Sequence, residues 1–208
     1  MPAKAPSHLR HDGTEAYRDS FREPTVSSHD VRIIETERLI LRPPIREDFD
    51  AYARNMADAE AAHFIGGVQS RALAWRGFLS LAGAWMIQGY SMFSVIEKST
   101  GRWIGRLGPW YPEGWPGTEV GWGLVREAWG KGYAYEGAAA ATDWAFAHLG
   151  WSDVIHSINA DNHPSLALAR RLGSRFLRHA SLPQPYQDIT VEIWGQTREE
   201  WLQRQGAR

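Results

Sequence analysis

The chain has 208 residues, a formal net charge of −1 and no cysteine. That length suffices for one domain with a sizeable hydrophobic core. The near-zero charge does not indicate a protein that binds nucleic acid through bulk charge. The missing cysteines exclude disulfides, thiolate nucleophiles and cysteine-ligated zinc sites. No apolar run approaches the roughly 20 residues that span a bilayer, so we expect a cytoplasmic protein without a membrane partner.

The predicted elements define one structured domain over residues 31–208. Residues 1–30 are rich in Pro, Ser, His and charge without a hydrophobic period, which predicts a disordered or loosely packed arm. Hydrophobic alternation, helical spacing and Gly or Pro breaks predict the other elements. These are strands over 31–34 and 36–43, helices over 46–60 and 71–88, strands over 90–97 and 102–107, a proline-rich loop over 109–116, a strand over 119–125, a helix over 133–149, a strand over 153–159, a helix over 164–172, strands over 174–180 and 189–194, and a short helix after a Thr197-x-x-Glu200 capping box.

The stretch from Glu119 into the alanine-rich helix predicts an anion site. A strand leads to Trp129-Gly130-Lys131-Gly132-Tyr133-Ala134, and the helix follows directly. The first N–H groups of a helix have no partner within the helix, and glycine lets an anion approach the backbone. A Walker A loop is excluded because Val125 stands where its first Gly is required. A dinucleotide fingerprint is excluded because Tyr135 stands where its third Gly is required.

The same turn resembles the acetyl-CoA turn of the GNAT superfamily, Arg/Gln-x-x-Gly-x-Gly/Ala. With Trp129 first and Gly-Lys-Gly-Tyr-Ala after it, the turn resembles the one found in the branch of ribosomal-protein alanine N-acetyltransferases. The segment Thr-Glu-Arg-Leu-Ile-Leu-Arg-Pro over 36–43 resembles the opening strand of the same branch. We expect the tryptophan to lose the polar side-chain contact that Arg or Gln makes. The resemblance implies the GNAT acyltransferase fold, an α+β, three-layer architecture with a mixed, mostly antiparallel central sheet and helices on both faces.

The resemblance also implies acetyl-CoA as co-substrate. Backbone N–H groups of the turn are expected at the pyrophosphate, with Lys131 adding positive charge. An Asn-x-x-Ser element, Asn162 and Ser165, is expected near the pantetheine and the thioester sulfur, with capping of the following helix as the alternative role of Asn162. The residues implied to contact acetyl-CoA are Leu124, Val125, Trp129, Gly130, Lys131, Gly132, Tyr133, Ala134, Asn162 and Ser165.

Two residues are candidates for the chemistry itself. Attack requires a neutral amine, so a base is expected near the acceptor. Glu119 at the start of its strand stands where the family often places a carboxylate, and His63 and His156 compete for the role. Ser165 is the candidate donor to the leaving thiolate, because Ala169 occupies the position at which many family members carry a tyrosine.

Aromatic residues are frequent around the predicted cleft. Phe64, Ile65, Trp110 and Trp122 are assigned to an acceptor pocket, with ordinary packing as the alternative for each. Backbone N–H groups over 122–124 are expected to polarise the thioester carbonyl. The histidines and carboxylates show no spacing typical of a metal site, and no metal is expected.

The expected activity is transfer of an acetyl group from acetyl-CoA to a primary amine by direct attack in a ternary complex, without an acyl-enzyme. A protein N-terminus and a small amine, such as a polyamine, an aminoglycoside or an amino-acid-like metabolite, are both open as acceptors. The alternative is a regulatory protein that binds acyl-CoA with little turnover, because Trp129, Ala169 and Ser174 depart from the family pattern. We expect a monomer or a homodimer with no nucleic-acid partner.

Overall fold

The structure, a computed structural model, describes residues 32–206, so the arm predicted over 1–30 lies outside the described residues. No helix within this range is long and apolar enough to cross a membrane. The strands are β1 (Ile34–Glu35), β2 (Leu39–Arg42), β3 (Phe93–Glu97), β4 (Arg102–Trp110), β5 (Glu119–Leu124), β6 (Asp153–Ile158), β7 (Arg175–Ser181) and β8 (Thr190–Thr197). The helices are α1 (Phe49–Ala57), α2 (Ala59–Ala62), α3 (Arg71–Ile87), α4 (Tyr133–His148), α5 (His163–Leu172) and α6 (Arg198–Gly206), with short 3-10 turns at Arg46–Asp48 and Arg126–Ala128.

The strands form one sheet of order β1-β2-β3-β4-β5-β6-β8-β7. Neighbouring strands are antiparallel except β5 and β6, which are parallel and share a single register pair, Glu119 with Ile155. The predicted GNAT architecture with a mixed, mostly antiparallel sheet is confirmed. Because the two parallel strands part after one pair, a gap opens in the middle of the sheet, and this gap positions the candidate site.

Helices cover both faces of the sheet. α4 packs on one face through small residues, since Ala138 and Ala141 are fully buried and a Cβ added at Gly137 would lie 2.6 Å from Leu107 Cδ2. Small side chains therefore hold α4 close to the strands, as the alanine-rich sequence predicts. α1 and α3 cover the other face with an aromatic cluster that includes Phe78.

The helix predicted over 46–60 is wrong in one respect, because it divides at Asp58. This residue has an extended backbone, and its carboxylate accepts hydrogen bonds from the N–H groups of Glu60 and Ala61, which caps α2. Aspartate is favoured at such a position because its side chain replaces the missing partners of the first helical N–H groups. The division sends the following loop, residues 63–67, towards the gap.

β4 was predicted over 102–107 but extends to Trp110. The proline-rich loop predicted from residue 109 therefore begins at residue 111. Pro109 and Trp110 pair in register with Val120 and Glu119 of β5. A proline is tolerated here because the neighbouring strand β3 starts opposite Leu107 and does not extend to Pro109, so no ladder bond is lost. The extension places Trp110 directly beside Glu119.

Candidate active site

Beyond Glu119, the edge of β5 that faces β6 has no strand partner in the described part of the chain. The carbonyl of Val120 points to that side, where it accepts a hydrogen bond of 2.7 Å from Nδ1 of His156. Backbone groups alternate between the two edges of a strand, so the N–H groups of Trp122 and Leu124 point into the same gap. β5 therefore presents two fixed backbone donors there.

Two cavities flank the gap. The turn cavity has a volume of about 810 Å³ and is lined by the glycine turn, the first turns of α4 and α5, and the end of β5. The strand cavity has a volume of about 500 Å³ and lies over β4, β5 and β6, with loops 63–67 and 182–189 along its sides. Molecules in the two cavities can meet, because both are lined by His63, Phe64, Ile65, Trp122, Asn162 and Ser165.

The glycine turn has the conformation that an anion site requires. Gly130 and Gly132 have φ values of +70° and +81°, a left-handed backbone that residues with a Cβ rarely adopt. Gly132 is the residue that precedes α4, and no side chain caps the helix. The first N–H groups of α4 are therefore available to a ligand in the turn cavity, which Gly130, Gly132 and Ala134 line.

Arg38 anchors this turn to the sheet. Its Nη1 donates to the carbonyl of Lys131 at 2.9 Å, and its Nε donates to Glu136 in the first turn of α4 at 2.6 Å. The guanidinium also lies 4.6 Å from the ring centroid of Tyr133, whose hydroxyl donates to Glu97 on β3. These contacts join the 36–43 segment to the turn and to the first turn of α4.

Trp129 corrects one expectation. Its indole N–H donates to the carbonyl of Leu124 at 2.9 Å, so the polar side-chain contact predicted to be lost is replaced by one to the end of β5. Trp129 is 45% exposed and lines the turn cavity. Trp129 therefore both closes the loop between β5 and α4 and offers an apolar surface to a ligand.

Not all residues predicted to contact acetyl-CoA line the turn cavity. Val125, Lys131 and Tyr133 do not. The N–H of Val125 donates to the carbonyl of Ile104 on β4, and the Tyr133 hydroxyl donates to Glu97. The predicted residues that do line this cavity are Leu124, Trp129, Gly130, Gly132, Ala134, Asn162 and Ser165.

Asn162 and Ser165 lie at the boundary of the two cavities. Asn162 Oδ1 accepts the N–H of Ser165 at 3.2 Å, which confirms its capping role on α5. The hydroxyl of Ser165 accepts the indole N–H of Trp122 at 3.1 Å, so its own proton is free for another partner. Ala169 is fully buried in a cluster against which Trp122 packs. Ser165 is thus the hydroxyl placed at the boundary.

Glu119 is a buried carboxyl in the strand cavity. Its Oε2 accepts the indole N–H of Trp115 at 2.6 Å, and its Oε1 lies 3.0 Å from where a Cβ on Gly121 would be. Burial raises the pKa of Glu119 to about 7, although the Trp115 hydrogen bond and the charge of Arg106 oppose the rise. A carboxyl that titrates near neutral pH can accept a proton from an amine.

His156 is a bridge across the gap and not a base. A carbonyl only accepts, so Nδ1 carries the proton bound to Val120, and Nε2 accepts the hydroxyl of Ser174 at 3.0 Å. Burial lowers the pKa of His156 to about 4, although the bond to Val120 opposes the fall. Its ring also lies 4.8 Å from that of Trp122. Both ring nitrogens are occupied, so the role predicted as an alternative to Glu119 is wrong.

The residues predicted for the acceptor pocket do come together. Phe64, Ile65, Trp110 and Trp122 all line the strand cavity. The lining residues that sequence reasoning missed include Arg106 on β4 and Tyr186 in the β7–β8 loop. Strand alternation could have found the first, because it shares a face of β4 with Trp110. Nothing local in the sequence marks Tyr186.

The sequence of the chain is similar to that of known acetyltransferases. Residues 38–175 match the family described as Acetyltransferase (GNAT) domain. The uncharacterized N-acetyltransferase p20 of Bacillus licheniformis is 29% identical over 140 residues, which cover 66% of this chain and 79% of that protein.

Solved structures give the same picture. An acetyltransferase from Agrobacterium tumefaciens has a TM-score of 0.71 at 29% identity, covering 86% of this chain and 100% of that one. RimJ of Mycobacterium smegmatis, solved in complex with CoA-disulfide, shares the fold with a TM-score of 0.62 at 19% identity, covering 78% of this chain and 83% of that one. Since the family match spans more than half of the chain and includes the glycine turn, this protein belongs to the GNAT acetyltransferases, which use acetyl-CoA as co-substrate.

Proposed function

We propose that the protein transfers the acetyl group of acetyl-CoA to a primary amine by direct attack in a ternary complex. The observation that carries this proposal is Glu119, a buried carboxyl whose pKa is raised to about 7, in the cavity next to the turn cavity. The amine would occupy the strand cavity and acetyl-CoA the turn cavity. The reacting groups would meet at the shared boundary.

The residues of the turn cavity fit acetyl-CoA. The pyrophosphate needs anion donors, and the uncapped start of α4 beside Gly130 and Gly132 supplies them. Arg171 also lines the cavity, with its guanidinium 4.2 Å from the ring centroid of Tyr135, and adds positive charge. The pantetheine arm would follow the free edge of β5 towards Asn162.

Acetyl-CoA supplies an activated thioester, from which the amine gains a C–N bond as the C–S bond breaks and CoA leaves. Glu119 takes the proton that the ammonium form of the acceptor loses before the neutral amine attacks, and the second N–H proton passes to the departing thiolate as the adduct collapses. The N–H groups of Trp122 and Leu124 stabilise negative charge that develops on the carbonyl oxygen. The hydroxyl of Ser165, oriented by Trp122, donates to the departing sulfur.

Direct attack is favoured over an acyl-enzyme. The chain has no cysteine. The partner found at the Ser165 hydroxyl oxygen is the Trp122 indole, which is a hydrogen-bond donor and cannot take up the hydroxyl proton. A serine nucleophile requires an adjacent base. Ser165 is therefore a donor and not a nucleophile in this proposal.

The alternative function is a regulator that binds acyl-CoA without turnover. Such a protein has no use for Glu119 in its buried position, which raises the pKa and therefore costs free energy when the carboxyl is ionised. This cost is understandable if the carboxyl exchanges a proton with an amine. The burial of Glu119 therefore favours the enzyme.

The test has two stages on the full chain. Titration with acetyl-CoA by calorimetry is expected to show saturable binding, and a panel of primary amines is expected to include one that accelerates CoA release. Absence of saturable binding would reject the acetyl-CoA site. Binding with slow thioester hydrolysis that no amine accelerates would favour the regulator.

A further inference from the structure

Arg106 carries the permanent positive charge of the strand cavity. Of the residues that line this cavity, all within 32–206, it is the only arginine or lysine, and Glu119 is the only carboxylate. Among the described residues no carboxylate oxygen lies within 4.0 Å of the Arg106 guanidinium. The cavity thus holds one carboxyl group and one guanidinium group, and the two do not form an ion pair by direct contact.

The guanidinium also lacks good hydrogen-bond acceptors within the described residues. Its Nε is buried without a partner, and its Nη1 contacts the sulfur of Met92 at 2.6 Å, although a thioether is a weak acceptor. Arg42, which is also partly buried, instead donates to both oxygens of Asp48 at 2.7 and 2.8 Å. Leaving the buried Nε of a cation unmatched is costly, and an acceptor on a bound molecule would remove that cost.

Met92 shows that the two charged groups lie close together. Its Cε lies 2.8 Å from where a Cβ on Gly121 would be, and Glu119 Oε1 lies 3.0 Å from the same point. The sulfur of Met92 contacts Arg106. A single methionine side chain therefore spans the distance between carboxyl and guanidinium, so one small molecule can reach both.

The rest of the cavity suits an apolar group of limited size. Loop 182–189 meets loop 63–67 beside the cavity, since the Tyr186 hydroxyl lies 3.0 Å from where a Cβ on Gly66 would be. The bulky apolar side chains that line it include Phe64, Trp110, Trp115, Trp122 and Leu182.

We propose that the acceptor is a primary amine that also carries a carboxylate, with the amine at Glu119 and the carboxylate on Arg106. The planar fork of a guanidinium matches a carboxylate in two parallel hydrogen bonds. Polyamines and aminoglycosides carry several positive charges, and a cavity with one carboxylate and one arginine disfavours them. This inference rests on the proposed acetyl transfer and assigns its substrate class.

A matched series of acceptors tests the carboxylate contact. L-phenylalanine, L-phenylalaninamide and phenethylamine share an amine and a ring but differ in the carboxylate, and spermidine represents the polycations. The kcat/KM of the wild type is expected to fall about 10- to 100-fold from the acid to the amide, mainly through KM, because a charge-assisted hydrogen bond is lost. A peptide that begins Phe-Asp has a free amine and a side-chain carboxylate but no carboxylate on the phenylalanine itself. It therefore tests whether a side-chain carboxylate can replace that of the free amino acid.

Variants then assign the preference to one residue. Arg106→Gln is expected to abolish the preference for the acid over the amide, and Arg106→Lys to retain part of it. Arg102→Gln is the matched control, because Arg102 lies on the same strand with its side chain 71% exposed and outside both cavities. Circular dichroism confirms that each variant is folded.

Binding gives a readout that does not depend on turnover. L-phenylalanine is expected to raise the melting temperature of the wild type and of Arg102→Gln, but not that of Arg106→Gln, in the presence of CoA and in its absence. Equal use of the acid and the amide, preference for spermidine, or an unchanged preference in Arg106→Gln would overturn the proposal. If no amine is acetylated, acetyl transfer fails, and the melting temperatures still decide whether Arg106 binds the carboxylate.

Discussion

The turn cavity and the strand cavity meet at one gap and share six lining residues, but they offer different kinds of groups to a ligand. The turn cavity uses backbone N–H groups at the start of α4 and along β5, which come from a single stretch of sequence. The strand cavity uses side chains from three strands and two distant loops. Binding in the first depends on backbone conformation, and binding in the second depends on side-chain identity. Substitutions should therefore separate acetyl-CoA affinity from acceptor chemistry.

The largest effect is expected at Glu119. Glu119→Gln removes the proton acceptor and should lower kcat by about 10²- to 10⁴-fold, the range typical of a general base. The Kd for acetyl-CoA should not change, because Glu119 does not line the turn cavity. Glu199→Gln on the exposed surface of α6 is the control. A parallel loss of acetyl-CoA affinity would contradict the separation of the two cavities.

The next effect is the pH dependence of the free energy of unfolding, which involves Glu119 in the strand cavity and His156 at the gap. The pKa of Glu119 is about 7 in the folded protein against an ordinary 4.5, so the folded state holds a proton that the unfolded chain releases between these values. The free energy of unfolding then falls as pH rises. The pKa of His156 is about 4 against an ordinary 6.5, so its unfolded state binds the extra proton and the free energy of unfolding rises with pH.

The two contributions oppose each other between pH 4.5 and 6.5. Each variant should expose the other slope, of up to about 1.4 kcal/mol per pH unit. In urea titrations, Glu119→Gln should become more stable relative to wild type as pH rises through this window. His156→Gln should become relatively less stable as pH rises through it. Equal slopes in both variants would show that neither pKa is shifted in the folded protein.

A smaller effect is expected in the turn cavity. Gly132→Ala and Gly150→Ala both place a Cβ at positive φ, with φ values of +81° and +66°, and should lose similar stability, about 1–2 kcal/mol. Gly150 lines neither cavity, so only Gly132→Ala should weaken acetyl-CoA binding, by about tenfold for the loss of a backbone contact to a charged group. Calorimetry measures both affinities. Equal affinities of the two variants for acetyl-CoA would show that the glycine turn does not contact acetyl-CoA.

The smallest effects are expected from the two indole N–H groups. Trp122→Phe leaves the Ser165 hydroxyl without its orienting donor and should lower kcat about fivefold, for a neutral hydrogen bond of about 1 kcal/mol. Trp129→Phe frees the Leu124 carbonyl at the end of β5 and should weaken acetyl-CoA binding by a similar factor without lowering kcat. Exchange of these two phenotypes between the variants would contradict the assignment of the cavities.

The sequence predicted what depends on local chain geometry. β5, the glycine turn and α4 are contiguous, so the left-handed glycines and the helix start could be predicted from residue type. Glu119 was proposed as the base because it begins a strand at a point where the family that the chain resembles often has a carboxylate. The division of the first helix at Asp58 was missed, because a capping carboxylate overrides helical spacing only when its side chain turns back on the backbone.

The strand cavity could not be predicted in full, because its key contacts join residues far apart in the chain. His156 remained an alternative to Glu119 because its sequence neighbourhood does not show the carbonyl of Val120 or the hydroxyl of Ser174. Arg106 was missed because the absence of a partner is a property of the folded cavity. Ser174 departs from the family pattern, and its bond to His156 gives the departure a structural reason.

The pH dependence of kcat/KM in wild type and Glu119→Gln tests the central claim most directly. The wild-type rate should rise with pH and level off with an apparent pKa of about 7, because the ionised Glu119 is the proton acceptor. Glu119→Gln should lose that inflection and the plateau above it while acetyl-CoA still binds. The same inflection and plateau in both proteins would contradict the account.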